Sequence, residues 1–355
     1  MSNSKIFQDE ANEPDKSGSS DVKEGAVYLG IDIGSSKVAI CTSEGSRSAE
    51  PAMVAYSGND FPNDSSGEDV FYGTAALEQG GSGIKEPIRE LLSGRNNRIA
   101  VRHLLEHCIV NTGMSLPLEN TRAVVTVTSN ADTSYKRTIL GIARELFRDA
   151  MVADDLFCVA YGSGKTEASI FVDIGTSCTN ICCISGDVPD NFNFLRISSG
   201  IDDIERELVD LVSEEHEDLF VQGKLAREWI VSHSYVGKHE GQIKVEVPLD
   251  GSLREIDITE ELGLASEYLV SDIISGLTKI LSAIDPEIRE MFRNNIYVCG
   301  GGSKIRNIDC FMEDELKELG GGKVFLVDDP IFAGAIGARM LAEKMPHEFW
   351  EQLKG

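Results

Sequence analysis

Tyr28-Leu-Gly-Ile-Asp-Ile-Gly-Ser-Ser-Lys37 is a short apolar run that ends in an acidic turn, and Ser169-Ile-Phe-Val-Asp-Ile-Gly-Thr-Ser-Cys178 repeats the pattern. In both copies an Asp closes a run of β-branched residues that is typical of a buried strand, and a Gly with small hydroxyl residues permits a tight turn. The two aspartates, Asp32 and Asp173, are 141 residues apart. The repeat therefore predicts two related halves of one fold, each of which contributes a turn.

The residues of these turns are suited to binding phosphate. Successive backbone N–H groups in a turn form a concave anion site, and small hydroxyl side chains add donors without bulk. A single turn of this type is most often an ordinary hairpin, but its repetition favours a functional role. We expect two facing turns to bind a polyphosphate through Gly34, Ser35, Ser36, Lys37, Gly175, Thr176, Ser177 and Cys178.

The two aspartates need a different role, because carboxylates repel phosphate directly. Asp32 and Asp173 are therefore expected to hold a hydrated Mg²⁺ ion, through water, that bridges the phosphate oxygens. This interpretation makes both residues part of the catalytic group of a nucleotide site.

A third motif, Asn295-Ile-Tyr-Val-Cys-Gly-Gly-Gly-Ser-Lys-Ile-Arg306, is a short apolar run followed by three glycines. Consecutive glycines let a backbone approach a flat ligand closely. By itself the motif is equally consistent with a flexible turn. After two phosphate turns it predicts an adenosine contact, made by Gly300, Gly301, Gly302, Ser303 and Arg306.

These three motifs, in this order, resemble those of the ATPase superfamily of actin, heat-shock chaperones and sugar kinases. Within it the chain looks like a bacterial actin, from about Val27 onward, and it is similar to the bacterial actins whose filaments align magnetosomes. Four further stretches carry that resemblance: Tyr72-Gly-Thr-Ala-Ala-Leu77, Val101-Arg-His-Leu-Leu-Glu-His107, Phe157-Cys-Val-Ala-Tyr-Gly162 and Pro346-His-Glu-Phe-Trp-Glu-Gln-Leu353.

The resemblance implies an α/β, actin-like ATPase fold with two related domains around a nucleotide cleft. Residues 1–25 are expected to form a disordered acidic tail. Domain I is predicted at 26–150, with a small subdomain at about 57–87, and is completed by 331–355. Domain II is predicted at 151–330, with a small subdomain at about 208–270. ATP or ADP with Mg²⁺ is the implied cofactor, and a head-to-tail filament of the protein itself is the implied assembly.

The resemblance also places a catalytic Glu of the relatives where Asp155 stands. A carboxylate there would orient and deprotonate the water that attacks the γ-phosphate. Asp is one methylene shorter than Glu, and the second turn departs from the relatives at Ser177, in place of Gly, and at Asn180, in place of Asp. We therefore expect slow ATP hydrolysis. Asp154 is the reserve candidate, and a helix N-cap is the structural alternative for this acidic pair.

Two further positions are assigned by the same resemblance. Arg227 and Glu228 match a Lys-Glu pair on a helix of the second domain, where Glu228 would accept ribose hydroxyls and Arg227 would stack beside adenine. A solvated helix face is the alternative. Gly200 and Asp203 match a turn beside the nucleotide.

Composition excludes several classes of protein. The formal charge of −26 disfavours nucleic-acid and anionic-lipid partners, which need Lys and Arg to replace their counterions. No run of 18 apolar residues or secretory signal is present, so direct membrane insertion is not expected. The eight cysteines are scattered and favour reduced thiols in the cytoplasm.

A cytoplasmic filament, with adaptor proteins where magnetosomes are the cargo, is the leading hypothesis. A metabolic kinase or non-polymerising ATPase of the superfamily is the alternative.

The charge also predicts how assembly depends on salt. Subunits of one sign repel each other until salt screens them, and the Debye length falls to about 8 Å at about 0.15 M ionic strength. Light scattering of the protein with ATP should therefore rise from very low salt to about 0.15 M. Scattering that falls as salt is first added would contradict this prediction.

Overall fold

A computed structural model describes residues 26–56, 70–79, 83–115, 118–186, 194–249 and 251–353. The tail predicted at 1–25 and about half of the small subdomain predicted at 57–87 lie outside the described residues. The strands are β1 (Val27–Ile33), β2 (Lys37–Thr42), β3 (Arg47–Pro51), β4 (Val54–Tyr56), β5 (Val70–Tyr72), β6 (Ile84–Lys85), β7 (Leu118–Val127), β8 (Phe147–Asp154), β9 (Ser169–Ile174), β10 (Thr179–Ile184), β11 (Phe194–Ile197), β12 (Lys244–Leu249), β13 (Ser252–Asp257), β14 (Ile296–Cys299) and β15 (Val324–Leu326). The helices are α1 (Thr74–Gln79), α2 (Arg95–Val110), α3 (Thr133–Leu146), α4 (Asp155–Gly162), α5 (Ile201–Glu215), α6 (Gly223–His233), α7 (Thr259–Ala283), α8 (Arg289–Arg293), α9 (Ile308–Glu315), α10 (Ala333–Lys344) and α11 (His347–Gln352).

Two five-stranded sheets have the same topology. The first has the order β3-β2-β1-β7-β8 and the second the order β11-β10-β9-β14-β15. In each, the first three strands form antiparallel hairpins, and the last two run parallel to the first strand. The predicted α/β fold of two related halves is confirmed, and the repeated motif is the first hairpin of each sheet.

Two smaller sheets accompany the large ones. The strands β5-β4-β6 form one, and β12 and β13 form the other. They fall at or inside the segments predicted as small subdomains, 57–87 and 208–270, apart from β4. The exact domain boundaries remain a prediction.

Each large sheet has its own apolar core, because its central strands are apolar on both faces. Ile31 and Val125 are buried in the core of the first half, and Val172 and Val298 in that of the second. The long helix α7 buries a continuous apolar stripe against the second sheet and ends before the Asp285-Pro286 pair, where proline disfavours further helix.

The helices α4 and α10 lie between the two sheets. Leu156 and Val159 of α4 pack against the second sheet, while Cys158 and Ala338 pack against Val124 of the first. Glycines permit this close packing: a Cβ on Gly30 would lie 1.9 Å from the Ala335 carbonyl oxygen. The two halves are therefore joined through a pair of closely packed helices.

No helix among the described residues has the length and apolar character needed to cross a membrane.

Two helical glycines give a matched test of this packing. A Cβ on Gly337 of α10 would lie 1.7 Å from the Cys158 carbonyl oxygen, whereas a Cβ on Gly141 of α3 would meet only the flexible end of Arg98, at 3.3 Å. Gly337→Ala should lower the free energy of unfolding by about 2 kcal/mol or more, since backbone must move. Gly141→Ala should raise it by up to about 1 kcal/mol through helix propensity. Urea denaturation followed by circular dichroism measures both changes, and equal effects would contradict the close helix contact.

Candidate nucleotide site between the two hairpins

The two repeated turns have the same backbone geometry. The Gly34 N–H donates to the Lys37 carbonyl at 2.9 Å, and the Gly175 N–H donates to the Cys178 carbonyl at 3.0 Å. Each hairpin is therefore closed by a two-residue loop, Ser35-Ser36 in the first and Thr176-Ser177 in the second. A Cβ on Gly34 would lie 3.2 Å, and one on Gly175 3.0 Å, from the opposing carbonyl oxygen, so glycine avoids a tight contact at both positions.

The structure brings the two loops into contact. The Thr176 hydroxyl donates to the Ser36 hydroxyl oxygen at 2.8 Å, across 140 residues of sequence. This hydrogen bond joins the ends of the two sheets. The donors of both loops therefore lie in one region of the molecule.

The two aspartates lie close to these loops and to each other. The Thr126 hydroxyl donates to Asp32 Oδ1 at 2.7 Å and fixes that carboxylate. Burial, together with the neighbouring Asp32 charge, raises the pKa of Asp173 to about 6, while Lys37 acts in the opposite direction. The positive charge of Lys37 therefore offsets the repulsion within the pair only in part. The Lys37 ammonium is already held by the Ile331 carbonyl at 2.5 Å.

The two acidic residues at the start of α4, Asp154 and Asp155, have different roles. Asp154 is the N-cap and accepts the Phe157 N–H at 3.0 Å. The Asp155 carboxylate accepts the Leu156 N–H at 2.7 Å and lies 3.5 Å from the Ser129 hydroxyl. Burial and the charges of Asp154, Asp173 and Asp32 raise the pKa of Asp155 well above its usual range. Asp155 thus belongs to the same carboxylate group as the turn aspartates, and the capping alternative applies to its neighbour.

The glycine-rich motif packs on the end of β9, beside the second hairpin. Gly300 has φ +76°, and a Cβ there would lie 2.2 Å from Asp173 Oδ1. A Cβ on Gly302 would lie 2.1 Å from the Ile174 side chain, and the Ser303 hydroxyl donates to the Gly300 carbonyl at 2.8 Å. Gly301 is exposed, and a Cβ on it would have no neighbouring atom within 4 Å. The turn is therefore a fixed backbone surface with one open side.

The start of α5 also packs on the second hairpin. A Cβ on Gly200 would lie 2.6 Å from the Thr176 carbonyl oxygen, so only glycine fits. The Asp202 N–H donates to that same carbonyl at 2.8 Å, and the Asp203 carboxylate accepts the Gly200 N–H at 2.8 Å. Gly200 and Asp203 are thus structural parts of the turn's support.

Three residues were predicted to contact the base and ribose; two of them have other partners in this structure, and the third is exposed. Arg227 donates to Glu205 at 2.6 Å and forms an ion pair with Asp202, so its guanidinium binds α5. Glu228 is exposed on α6. Arg306 is exposed and donates to the His233 carbonyl at 2.8 Å, at the end of α6. Their predicted contacts with base and ribose remain predictions.

Sequence reasoning missed Thr126 and Ser129. The one signal was a hydroxyl inside the apolar run of β7, where Thr126 is buried and a valine would have been expected. It also missed Arg89 of the first half, which lies 3.5 Å from Asp202 of α5 in the second.

The donors present fit a hydrated Mg²⁺ ion. The carboxylates of Asp32 and Asp173 share a partly buried region, where burial and the Asp32 charge raise the pKa of Asp173 and a bound cation would favour the ionised carboxylates. Among the described residues no group of three or more His, Cys, Asp or Glu side chains is arranged to hold a metal directly. Mg²⁺ usually retains several waters and uses few protein ligands, so two carboxylates suffice.

Two matching sheets that meet at paired phosphate-type hairpins define the actin-like class of fold. The chain belongs to the MreB/Mbl protein family, whose model matches residues 26–348. It is 30% identical over 332 residues to the actin-like protein MamK of Paramagnetospirillum magneticum, which covers 92% of this chain and 95% of that protein. The predicted resemblance to a bacterial actin is confirmed.

Solved structures of MamK have the same fold. A MamK double helical filament matches with a TM-score of 0.76 and 27% identity, over 90% of this chain and 100% of that chain. A non-polymerising MamK mutant bound to AMPPNP matches with a TM-score of 0.73 and 29% identity, over 90% and 99%.

Cys178 is a natural reporter for the site. It is half-buried beside the second loop, whereas Cys310 is exposed on α9. With MgATP about tenfold above its dissociation constant, alkylation of Cys178 should slow by about tenfold, because bound ligand protects in proportion to occupancy. Cys310 should react at an unchanged rate and is the internal control. Peptide mapping by mass spectrometry gives both rates, and a Cys178 rate independent of nucleotide would argue against this site.

Proposed function

We propose that this protein binds ATP with Mg²⁺ between the two hairpins and assembles into actin-like filaments. The observation that carries the proposal is the hydrogen bond of 2.8 Å between Thr176 and Ser36, because it joins two phosphate-type loops from two halves of the chain. The MamK mutant bound to AMPPNP and the MamK double helical filament support both parts.

The chain's own residues account for a slow hydrolysis. Asp155 accepts the proton of the attacking water, since its carboxylate belongs to the same group as Asp32 and Asp173. Asp32 and Asp173 would hold a Mg²⁺ ion through water, and the ion would supply positive charge for the phosphate oxygens. The shorter side chain at 155 holds the base back by about 1 Å, which lowers the rate by about a hundredfold.

Asn180 adjusts the charge of the same site. It pairs across the hairpin with Asp173, is buried, and its side-chain oxygen has no hydrogen-bond partner among the described residues. An Asp at this position would place a further negative charge beside Asp173. The neutral amide limits repulsion at the site and also leaves it one acidic group fewer than in the relatives.

Nucleotide controls assembly through the relative position of the two halves. A triphosphate that contacts both loops favours the closed arrangement, since only differential affinity shifts such an equilibrium. Closed subunits then associate head to tail, a contact that extends into a filament because it does not close on itself. The similarity to the MamK double helical filament supports self-assembly, and we propose further that this filament lies in the cytoplasm and positions magnetosomes through adaptor proteins.

Sedimentation tests this function. The protein at micromolar concentration should pellet with MgATP at about 0.15 M salt and remain in the supernatant with EDTA, since Mg²⁺ and the γ-phosphate together close the subunit. Electron microscopy of the pellet should show filaments. A soluble monomer whose turnover rises on addition of a small alcohol would instead indicate a metabolic kinase.

Variants of the acidic pair refine the same test. Asp155→Asn should lower phosphate release by about a hundredfold, as removal of a general base does. Asp155→Glu should raise it, by up to about a hundredfold, because the longer side chain reaches the water. Asp154→Asn is the matched control: an amide still caps α4, so its rate should stay near that of the wild type. ATP binding is checked by Cys178 protection. If Asp154→Asn loses turnover and Asp155→Asn does not, Asp154 is the general base instead of Asp155.

A further inference from the structure

We propose that a groove between α5, α7 and α9, here called the acidic groove, binds a basic amphipathic helix of a partner protein. This inference rests on the adaptor part of the proposed function and specifies the partner's chemistry. It concerns a surface that neither hairpin contributes to.

The acidic groove consists of two adjoining cavities of about 490 and 450 Å³. They share Glu207 of α5 and Tyr268 of α7, so one depression continues across both helices. It follows α5 from Asp203 to Leu211, which is about 12 Å at the rise of an α-helix. That length accommodates roughly two turns of a docked helix.

The floor of the acidic groove is apolar. Leu264 and Tyr268 lie one turn apart on α7 and are each 58% exposed. Leu211 of α5 and Phe311 of α9 are half-buried beside them. An exposed aromatic next to aliphatic side chains is a common anchor point for a partner, and apolar residues spaced three or four apart on a helix fit such a groove.

The rim of the acidic groove is negative. Glu207, Glu267 and Glu315 line the first cavity. Helix α5 contains seven acidic residues and one Arg. Helix α7 contains four acidic residues and one Lys, and α9 contains four acidic residues and no basic residue. The Arg is Arg206, which already pairs with Asp203. A partner that fills the groove therefore needs Lys or Arg beside its apolar positions.

Neither the described residues nor the N-terminal residues 1–25 of this chain supply such a helix. The basic helices α2 and α3 bury their apolar faces in the first core, and Arg98 and Arg102 of α2 pair with Glu145 and Glu106. Residues 1–25 contain six acidic and three basic residues, so their net charge is the wrong sign. The occupant is therefore a different protein.

The test uses a defined probe, a fluorescent 18-residue helical peptide with Leu on one face and Lys on both flanks. Its binding to the full chain is measured by fluorescence anisotropy at low salt and without ATP. The floor variant Leu264→Ser with Tyr268→Ser, and the rim variant Glu207→Gln with Glu315→Gln, should each weaken binding by about tenfold or more. All four residues lie on the surface of their helices, so the variants should fold.

Matched controls separate the groove from general attraction to an acidic protein. Val231→Ser with Leu253→Ser removes two exposed apolar side chains elsewhere, and Glu240→Gln with Glu246→Gln removes the same charge elsewhere. Both should bind the peptide within about twofold of the wild type, because non-specific attraction depends on net charge. A photoreactive residue at the centre of the Leu face should label peptides from α5, α7 or α9.

The outcomes are distinct. Equal weakening in floor and control variants, labelling elsewhere, or no binding to the wild type would overturn the acidic groove as a docking site. Sedimentation with MgATP is run on the floor variant in parallel. If the floor variant pellets normally but no longer binds the peptide, the result supports the acidic groove. If the wild type does not pellet, the filament proposal fails, but the peptide measurements still test the groove.

Discussion

Two carboxylates share a partly buried region where the halves of this protein meet, and the surrounding elements are arranged to tolerate them. Burial and Asp32 raise the pKa of Asp173 to about 6, because the charged carboxylate loses hydration and is repelled by its neighbour. The Thr126 hydroxyl binds Asp32, and the positive charge of Lys37 partly offsets the pair. What remains is a deficit of positive charge beside two loops rich in N–H and hydroxyl donors. The proposed ligand, a magnesium polyphosphate, would supply both a cation for the carboxylates and an anion for the donors of the two loops.

The geometry around the carboxylates comes from close backbone packing. Gly300 and Gly334 let the motif after β14 and the start of α10 approach Asp173 and Asp32, and Gly200 lets α5 rest on the second loop. On the other side, α4 and α10 pack so closely that a single methyl group on Gly337 would overlap a carbonyl of α4. The site is therefore held by contacts that leave little room for adjustment, and the loops themselves meet through a single hydroxyl pair.

Much of this was predictable from sequence, because the deciding features are local. An apolar run, an Asp, a Gly and two small hydroxyl residues specify a strand and its two-residue turn, and their repetition predicted two equivalent sheets. Contacts between distant residues were not predictable. Thr126 reads as one more strand residue until β7 is placed beside β1. Nothing in the sequence around Arg227 indicates that α5 brings Asp202 and Glu205 to it. The acidic groove combines three helices whose individual patterns show only solvated faces.

The position of α10 has a consequence for synthesis on the ribosome. This helix covers β1 and contacts Gly30, yet it is encoded about 300 residues after that strand. One face of the first sheet therefore stays uncovered while most of the chain is being made, although its own strands and outer helices are already available. Native contacts of such long range form late and slowly, and exposed apolar surface invites aggregation in the meantime. The nascent first half is thus the stage at which a molecular chaperone would be of most use.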